Sequence, residues 1–148
     1  PAPKIPLKKG SDRMHQHILI PVAIDHEPMV PRKIEIARAL LAPGGHITLL
    51  TVLEQISGFV AEFVTTREEN HLTRRLLDRL EDAAGGAADI EAKVITGKPG
   101  VEIARYAKDN GYDLIIVGSQ KPGASDYMLG STASRVVRRA ACSVHVLR

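Results

Sequence analysis

Residues 112–147 read YDLIIVGSQKPGASDYMLGSTASRVVRRAACSVHVL and contain the pattern most informative about the fold. It begins with an apolar, β-branched run and continues through a loop that contains glycine and serine. The next segment spaces its apolar residues as a helix does, and a second β-branched run follows at 143–147. A strand, a helix and a second strand in this order form the unit from which parallel sheets are built.

The same alternation of strands and helices extends back to residue 17. Besides the strand at 143–147, the sequence predicts strands at 17–23, 46–53, 90–95 and 114–117, and helices at 31–41, 67–84, 99–110 and 131–141. The first, second and fourth strands are almost continuously apolar, as expected for strands that helices cover on both faces. We therefore predict one Rossmann-like α/β domain, a doubly wound parallel sheet with helices on both faces.

The predicted helices have recognisable ends and inner faces. Gly44 and Gly45 are expected to close the first helix, and Thr66 and Glu69 form a capping box at the start of the second. The residues expected to face inward are Ile34, Ala37 and Leu41, then Leu72, Leu76, Leu77, Leu80 and Ala84, and finally Ala133, Val136, Val137 and Ala140.

The excess positive charge is confined to one end of the chain. The protein has 20 basic and 17 acidic residues and a formal charge of +3, and residues 1–13 contribute four of the basic residues and one of the acidic ones. The remainder, 14–148, therefore carries no net charge and has no electrostatic footprint for DNA or a membrane surface. We interpret 1–13 as a flexible leader or a cloning remnant rather than a functional basic arm. Met14, directly before an apolar run, could be the natural start.

Composition excludes several other classes of protein. Only 3% of the residues are aromatic and there is no Trp, so stacking platforms for single-stranded nucleic acid are largely missing. The single cysteine, Cys142, excludes an internal disulfide framework and favours a cytoplasmic protein in which this residue is a small buried hydrophobe. No apolar run approaches the roughly 18 residues of a membrane span.

The segment 118–132 is the best candidate for a ligand site. In doubly wound sheets the ligand binds beyond the carboxyl ends of the strands, where the strand order reverses. This segment leaves an apolar strand and ends in Gly130-Ser131-Thr132 at a helix start, where free N–H groups favour anions. Ser119 adds a hydroxyl donor, and Lys121 adds a charge suited to phosphate. Both phosphate binding and plain helix capping by Ser131 or Thr132 remain open from these residues.

Together these motifs resemble the universal stress protein family over the whole of 17–148. The matching stretches are HILIPV at 17–22, GKP at 97–99, YDLIIVGS at 112–119 and LGSTASRVVRRAACSVHVL at 129–147. The resemblance implies a five-stranded parallel sheet in the order 3-2-1-4-5, a homodimer through the last strand and, in one branch of the family, ATP bound in the loop described above.

Two positions depart from the ATP-binding pattern of the family. The usual loop has a second glycine where this chain has Lys121-Pro122. Its last glycine lies one position later in the family pattern than Gly130 does in this chain. The loop is similar to a variant branch that reads S-x-[R/K]-P and also binds ATP, in which a cation can replace lost backbone donors. Ala23 stands where the family usually has an aspartate near the adenosine, and Asp25 could substitute for it.

The predicted ligand is ATP, with AMP or ADP as alternatives and with or without Mg²⁺, and we expect neither protein metal ligands nor catalytic residues. Pro21, Val22 and Val52 are expected to line the base and ribose and also to pack in the core. The full set of predicted binding residues is Pro21, Val22, Ala23, Asp25, Val52, Val117, Gly118, Ser119, Gln120, Lys121, Gly130, Ser131 and Thr132.

Two other functions remain as hypotheses. The first is a dimeric interaction protein without a nucleotide, which Ala23 favours. The second is a small nucleotide hydrolase, for which Asp25 and Asp126 are the candidate bases; without a catalytic constellation any hydrolysis should be slow. Phe59 and Phe63 suggest a flap or dimer contact rather than a buried helical turn. His15 and His17 are expected to bind no metal, and the arginines of the last helix, Arg135, Arg138 and Arg139, are expected to be solvated.

Overall fold

The computed structural model describes residues 14–24, 28–54, 66–119 and 129–148, and the side chains from residue 70 onward in the second helix. The predictions for the leader, for Asp25, for Phe59 and Phe63, and for Gln120, Lys121 and Asp126 lie outside the described residues. So do the side chains of the predicted capping box at Thr66 and Glu69.

Five strands and four helices alternate along the described chain. The strands are β1 His15–Pro21, β2 Leu41–Leu53, β3 Ile90–Thr96, β4 Leu114–Gly118 and β5 Ser143–Leu147, and the helices are α1 Val30–Leu40, α2 Thr66–Ala84, α3 Pro99–Asp109 and α4 Ser131–Arg139. All neighbouring strands pair in parallel, in the order β3-β2-β1-β4-β5. The predicted fold class is confirmed. Within the described ranges, every helix is too short or too polar to cross a bilayer.

The sheet has a core on each face because successive side chains of a strand point to opposite sides. Ile18 and Ile20 of β1 pack on the face covered by α1 and α2, in a cluster that includes Leu80 of α2. Leu19 packs on the other face, which α3 and α4 cover, in a cluster that includes Val136 of α4. The central strands are thus buried on both faces, which explains their continuous apolar runs.

The predicted role of Gly44 and Gly45 in closing the first helix is wrong, although the helix ends within one residue of its predicted end. α1 stops at Leu40 and β2 begins at Leu41, so Gly44 and Gly45 lie inside a strand. There the pairing with β1 is irregular, since β2 advances from Leu41 to His46 while β1 advances only from His15 to His17. Gly44 has a φ of 77°, which glycine tolerates best, and a Cβ on Gly45 would lie 2.7 Å from the carbonyl oxygen of Gln16. The glycine pair therefore accommodates an irregularity of the sheet instead of a helix end.

Two of the residues expected to face inward are exposed. Leu72 is 37% exposed and Val137 is 43% exposed, whereas Leu76, Leu80 and Val136 are buried. On α2 and α4 the row of buried side chains is narrower than the row of apolar residues in the sequence. Only the side chains that point directly at the sheet lose contact with water.

Candidate functional site

A crevice is expected between the carboxyl ends of β1 and β4, because the strand order reverses there. β1 pairs with β4 at Ile18↔Leu114 and Leu19↔Ile115, while its pairing with β2 continues as far as Pro21↔Leu50. Over the described residues, β1 therefore leaves β4 two residues before it leaves β2. The last residues of β1 and of β4 form the floor of the candidate site.

The end of β4 is tied to the start of α4. The N–H of Ser119 donates to the carbonyl oxygen of Leu147 at 2.8 Å, and the N–H of Gly130 donates to the carbonyl oxygen of Ser119 at 2.6 Å. Ser119 is only 6% exposed. These bonds hold the first turn of α4 beside the end of β4, so the structure brings Gly118, Ser119 and Gly130 together.

The amino end of α4 has no side-chain cap within the described part of the chain. Gly130 is the N-cap residue, no described side chain bonds to the free N–H groups there, and the first turn has no acidic residue. Ser131 and Thr132 lie inside the first turn and are exposed. The capping alternative is therefore wrong for both residues. An uncapped helix start carries a partial positive charge and unpaired N–H donors, which suit an anion.

The β1–β2 side of the site is mainly apolar. The N–H of Val22 donates to the carbonyl oxygen of Leu50 at 2.8 Å, and its own carbonyl oxygen accepts from Thr51 Oγ1 at 3.0 Å. A cavity of about 420 Å³ adjoins it, with Val22, Ala23, Ile34 and Thr51 among its lining residues. Ala23 is exposed and carries no polar side-chain atom.

Two of the predicted wall residues face the other side of the sheet. Val52 and Val117 are buried in the cluster covered by α3 and α4, whereas Val22 packs against the cluster covered by α1 and α2. Pro21 is half-buried at the end of β1. The predicted residues at the strand ends are therefore close in the sheet, but their side chains are divided between its two faces.

Sequence reasoning missed Lys33, which lies beneath the crevice. This lysine of α1 is 3% exposed, and its Nζ donates to the carbonyl oxygen of Pro21 at 3.3 Å. A Cβ on Gly118 would lie 3.7 Å from the Cε and Nζ of Lys33. The signal was present in the spacing, because position 33 lies three residues after buried Val30 and four before buried Ala37.

The described groups with clearly shifted pKa values lie near the opposite, amino-terminal edge of the sheet. Burial raises the pKa of Tyr112 to about 12, and its hydroxyl donates to Thr48 Oγ1 at 2.7 Å. Burial also raises the pKa of Cys142, which favours the neutral thiol, as expected for a partly buried small hydrophobe. Hydrogen bonds from Arg38 lower the pKa of Asp89.

The histidines and arginines singled out in the sequence lie apart from the crevice or on the surface. His15 Nδ1 is 3.4 Å from Asp113 Oδ1, and the ring of His17 lies 5.9 Å from that of His46, between ring centroids. The three arginines of α4 are exposed, as predicted for a solvated helix face: Arg135, Arg138 and Arg139.

The fold and the crevice define a doubly wound α/β protein with an anion-compatible helix start at the reversal of its strand order. A model of the universal stress protein family matches residues 14–148, and the chain belongs to this family. Universal stress protein G of Shigella flexneri is 29% identical over 144 residues, covering 91% of this chain and all of that protein.

Solved structures show the same fold. The structure of MJ0577 superposes with a TM-score of 0.73 at 26% identity, covering 90% of this chain and 96% of that one. The universal stress protein from Archaeoglobus fulgidus, solved in complex with dAMP, superposes with a TM-score of 0.61 at 16% identity, covering 91% of this chain and 99% of that one.

Proposed function

We propose that this protein is a stress-response module of the cytoplasm that binds an adenine nucleotide in the crevice and acts as a homodimer. The ligand is ATP, with AMP or ADP as alternatives and with or without Mg²⁺. The observation that carries the proposal is the amino end of α4, which no described side chain caps and which Ser119 and Gly130 hold beside the end of β4.

The residues of this end fit a phosphate group. The first-turn N–H groups of α4 supply donors, and the exposed hydroxyls of Ser131 and Thr132 add two more. Gly118 has no side chain to obstruct a phosphate oxygen that approaches the backbone. The dAMP complex of the Archaeoglobus fulgidus protein supports the proposal at the level of the shared fold.

The β1–β2 side of the crevice, which is mainly aliphatic, fits a nucleobase. The cavity of about 420 Å³ beside Val22 and Ala23 is lined largely by aliphatic side chains. A purine ring gains from such contact because apolar surface leaves water. The proposed activity is binding; hydrolysis is expected to be slow, with Asp25 and Asp126 the only carboxylates proposed as bases.

Millimolar ATP is expected to raise the melting temperature of the purified protein by about 5–10 °C, if the nucleotide reaches about 100 times its Kd. Ser131→Asp should abolish this rise, because a carboxylate in the first turn of α4 repels the phosphates. The same carboxylate interacts favourably with the positive end of the helix dipole, so the melting temperature of the nucleotide-free variant should be no lower than that of the wild type. Differential scanning fluorimetry with and without ATP measures both effects.

Asn110→Asp is the control, since it adds a carboxylate at the exposed carboxyl end of α3, at the opposite end of the sheet and away from β5. This variant should keep the full ATP-dependent rise. A wild-type protein that shows no rise, or a Ser131→Asp variant that keeps it, would contradict the proposed site.

A second candidate function is a dimeric interaction protein that binds no nucleotide. Ala23 favours it, because this exposed residue has no polar side-chain atom where the family resemblance implies an aspartate. Nucleotide released from the native protein and identified by mass spectrometry would exclude this alternative.

The homodimer is proposed to form through β5. This strand lies at the edge of the sheet and pairs with β4 along one side. An edge strand presents backbone N–H and C=O groups that can pair with another chain. Two copies of Ser143–Leu147 paired antiparallel in full register would place His145 opposite its own copy.

His145→Lys is expected to shift the protein from dimer to monomer, because two like charges would then face each other across the proposed interface. Light scattering coupled to size-exclusion chromatography should report twice the 16.0 kDa chain mass for the wild type and the chain mass for the variant. His17→Lys, at an exposed position of the interior strand β1, should stay dimeric. A dimeric His145→Lys variant would argue against pairing through β5.

A further inference from the structure

Lys33 is a buried cation at the point where the two halves of the sheet separate. Lysine is almost never fully buried in proteins unless its charge is paired, because the desolvated charge is costly. Here the side chain is 3% exposed and lies on the buried face of α1, between Val30 and Ala37.

The position of the ammonium group links it to the crevice. Its Nζ donates to the carbonyl oxygen of Pro21, the last residue of β1, and its end lies against the face of Gly118, the last residue of β4. These are the two strands that stop pairing beyond Leu19 and Ile115. The charge therefore lies directly beneath the floor of the candidate site and close to the start of the segment that leads to α4.

We propose that Lys33 determines the charge preference of this crevice, so that anionic adenine nucleotides bind in preference to neutral adenosine. This inference rests on the proposed function and adds to it the residue that selects the ligand class. The inference depends on the positive charge of Lys33 and on its position beneath the floor of the crevice. The hydrogen bond from its Nζ to the carbonyl oxygen of Pro21 holds the ammonium group in that position.

The physical basis is electrostatic. A charge that is largely removed from water interacts with a nearby anion more strongly than an exposed charge does, because less solvent screens it. The amino end of α4 supplies a partial positive charge on the β4 side of the same crevice. A phosphate between them would be attracted from two directions, whereas a neutral nucleoside would gain little from either.

Lys33→Met tests this inference, because methionine keeps an unbranched side chain of similar length and removes the charge. Isothermal titration calorimetry with AMP and with adenosine, at one ionic strength, compares ligands that differ in the phosphate. AMP should bind on the order of tenfold or more weakly to the variant, the size of one interaction with a charged group, and adenosine should bind as it does to the wild type. Lys33→Arg should retain most of the preference for AMP.

Lys108→Met is the matched control, since Lys108 is an exposed cation in the last turn of α3, at the other end of the sheet. It should leave both affinities unchanged. If Lys33→Met lost affinity for AMP and for adenosine by the same factor, Lys33 would have only a structural role and the inference would be overturned. An unchanged affinity for AMP would overturn it as well. A wild-type protein that binds neither ligand would overturn the proposed function itself, and with it this inference.

Discussion

Leu80→Ala is expected to lower the free energy of unfolding by about 3 kcal/mol, within the range measured for buried leucines. Leu80 is 3% exposed and belongs to the core between α2 and the sheet, with Ile18 and Ile47. It also borders the cavity of about 420 Å³ beside Val22. The substitution removes apolar contacts and enlarges a space that already exists, so the neighbouring side chains can recover little of the loss. Urea denaturation followed by circular dichroism measures the change.

Leu72→Ala is the matched control on the same helix. Leu72 is 37% exposed, eight residues before Leu80 on α2, and its truncation should cost less than about 1 kcal/mol. If the two substitutions lowered the free energy of unfolding by the same amount, the whole leucine stripe of α2 would be buried, as the sequence pattern alone predicts. Such a result would contradict the orientation of α2 described here.

Gly45→Ala is expected to destabilise the protein by about 1–3 kcal/mol, the usual cost of overpacking. A Cβ there would lie 2.7 Å from the carbonyl oxygen of Gln16 and 3.0 Å from that of Ala42. Both atoms belong to the backbone of paired strands, so neither can rotate away as a side chain can. Relief requires a shift of β1 against β2, at the point where their register is irregular.

Gly118→Ala is the control for this prediction, since it adds the same methyl group at another strand position. The nearest atoms there, the Cε and Nζ of Lys33, would lie 3.7 Å from the new Cβ, an ordinary contact distance. The thermal unfolding midpoint of Gly118→Ala should stay close to that of the wild type while that of Gly45→Ala falls. A Gly45→Ala protein as stable as the wild type would show that the strands can move apart at little cost.

Most of the fold could be predicted from local patterns. Continuous apolar runs such as 114–117 indicate strands covered on both faces, and their alternation with amphipathic helices leaves a doubly wound sheet as the natural arrangement. The strand order required the family resemblance, and the sheet topology confirms it. The role of the glycine pair at 44–45 is not predictable from local sequence, because glycine suits a helix end and a strand irregularity equally well and only the neighbouring strand distinguishes them.

The candidate site was predictable on the β4 side and not on the α1 side. Gly118, Ser119 and Gly130 belong to one continuous segment, so their chemistry is visible in sequence. Lys33 is visible only as a charged residue in a helix, where a solvated position is the usual expectation. Its burial depends on the place of α1 over the ends of β1 and β4, which no local pattern encodes.

By itself, the sequence 112–147 determined a strand, a loop rich in small and polar residues, a helix start and a final strand, because each depends on residues close together in the chain. Tertiary structure alone decided which end of which strand lies beside that helix start, and that Gly130, rather than Ser131 or Thr132, is its N-cap. It also decided that a lysine from α1 lies beneath the same point. Burial and charge proximity are properties of packed elements, so they appear only when the whole sheet has formed.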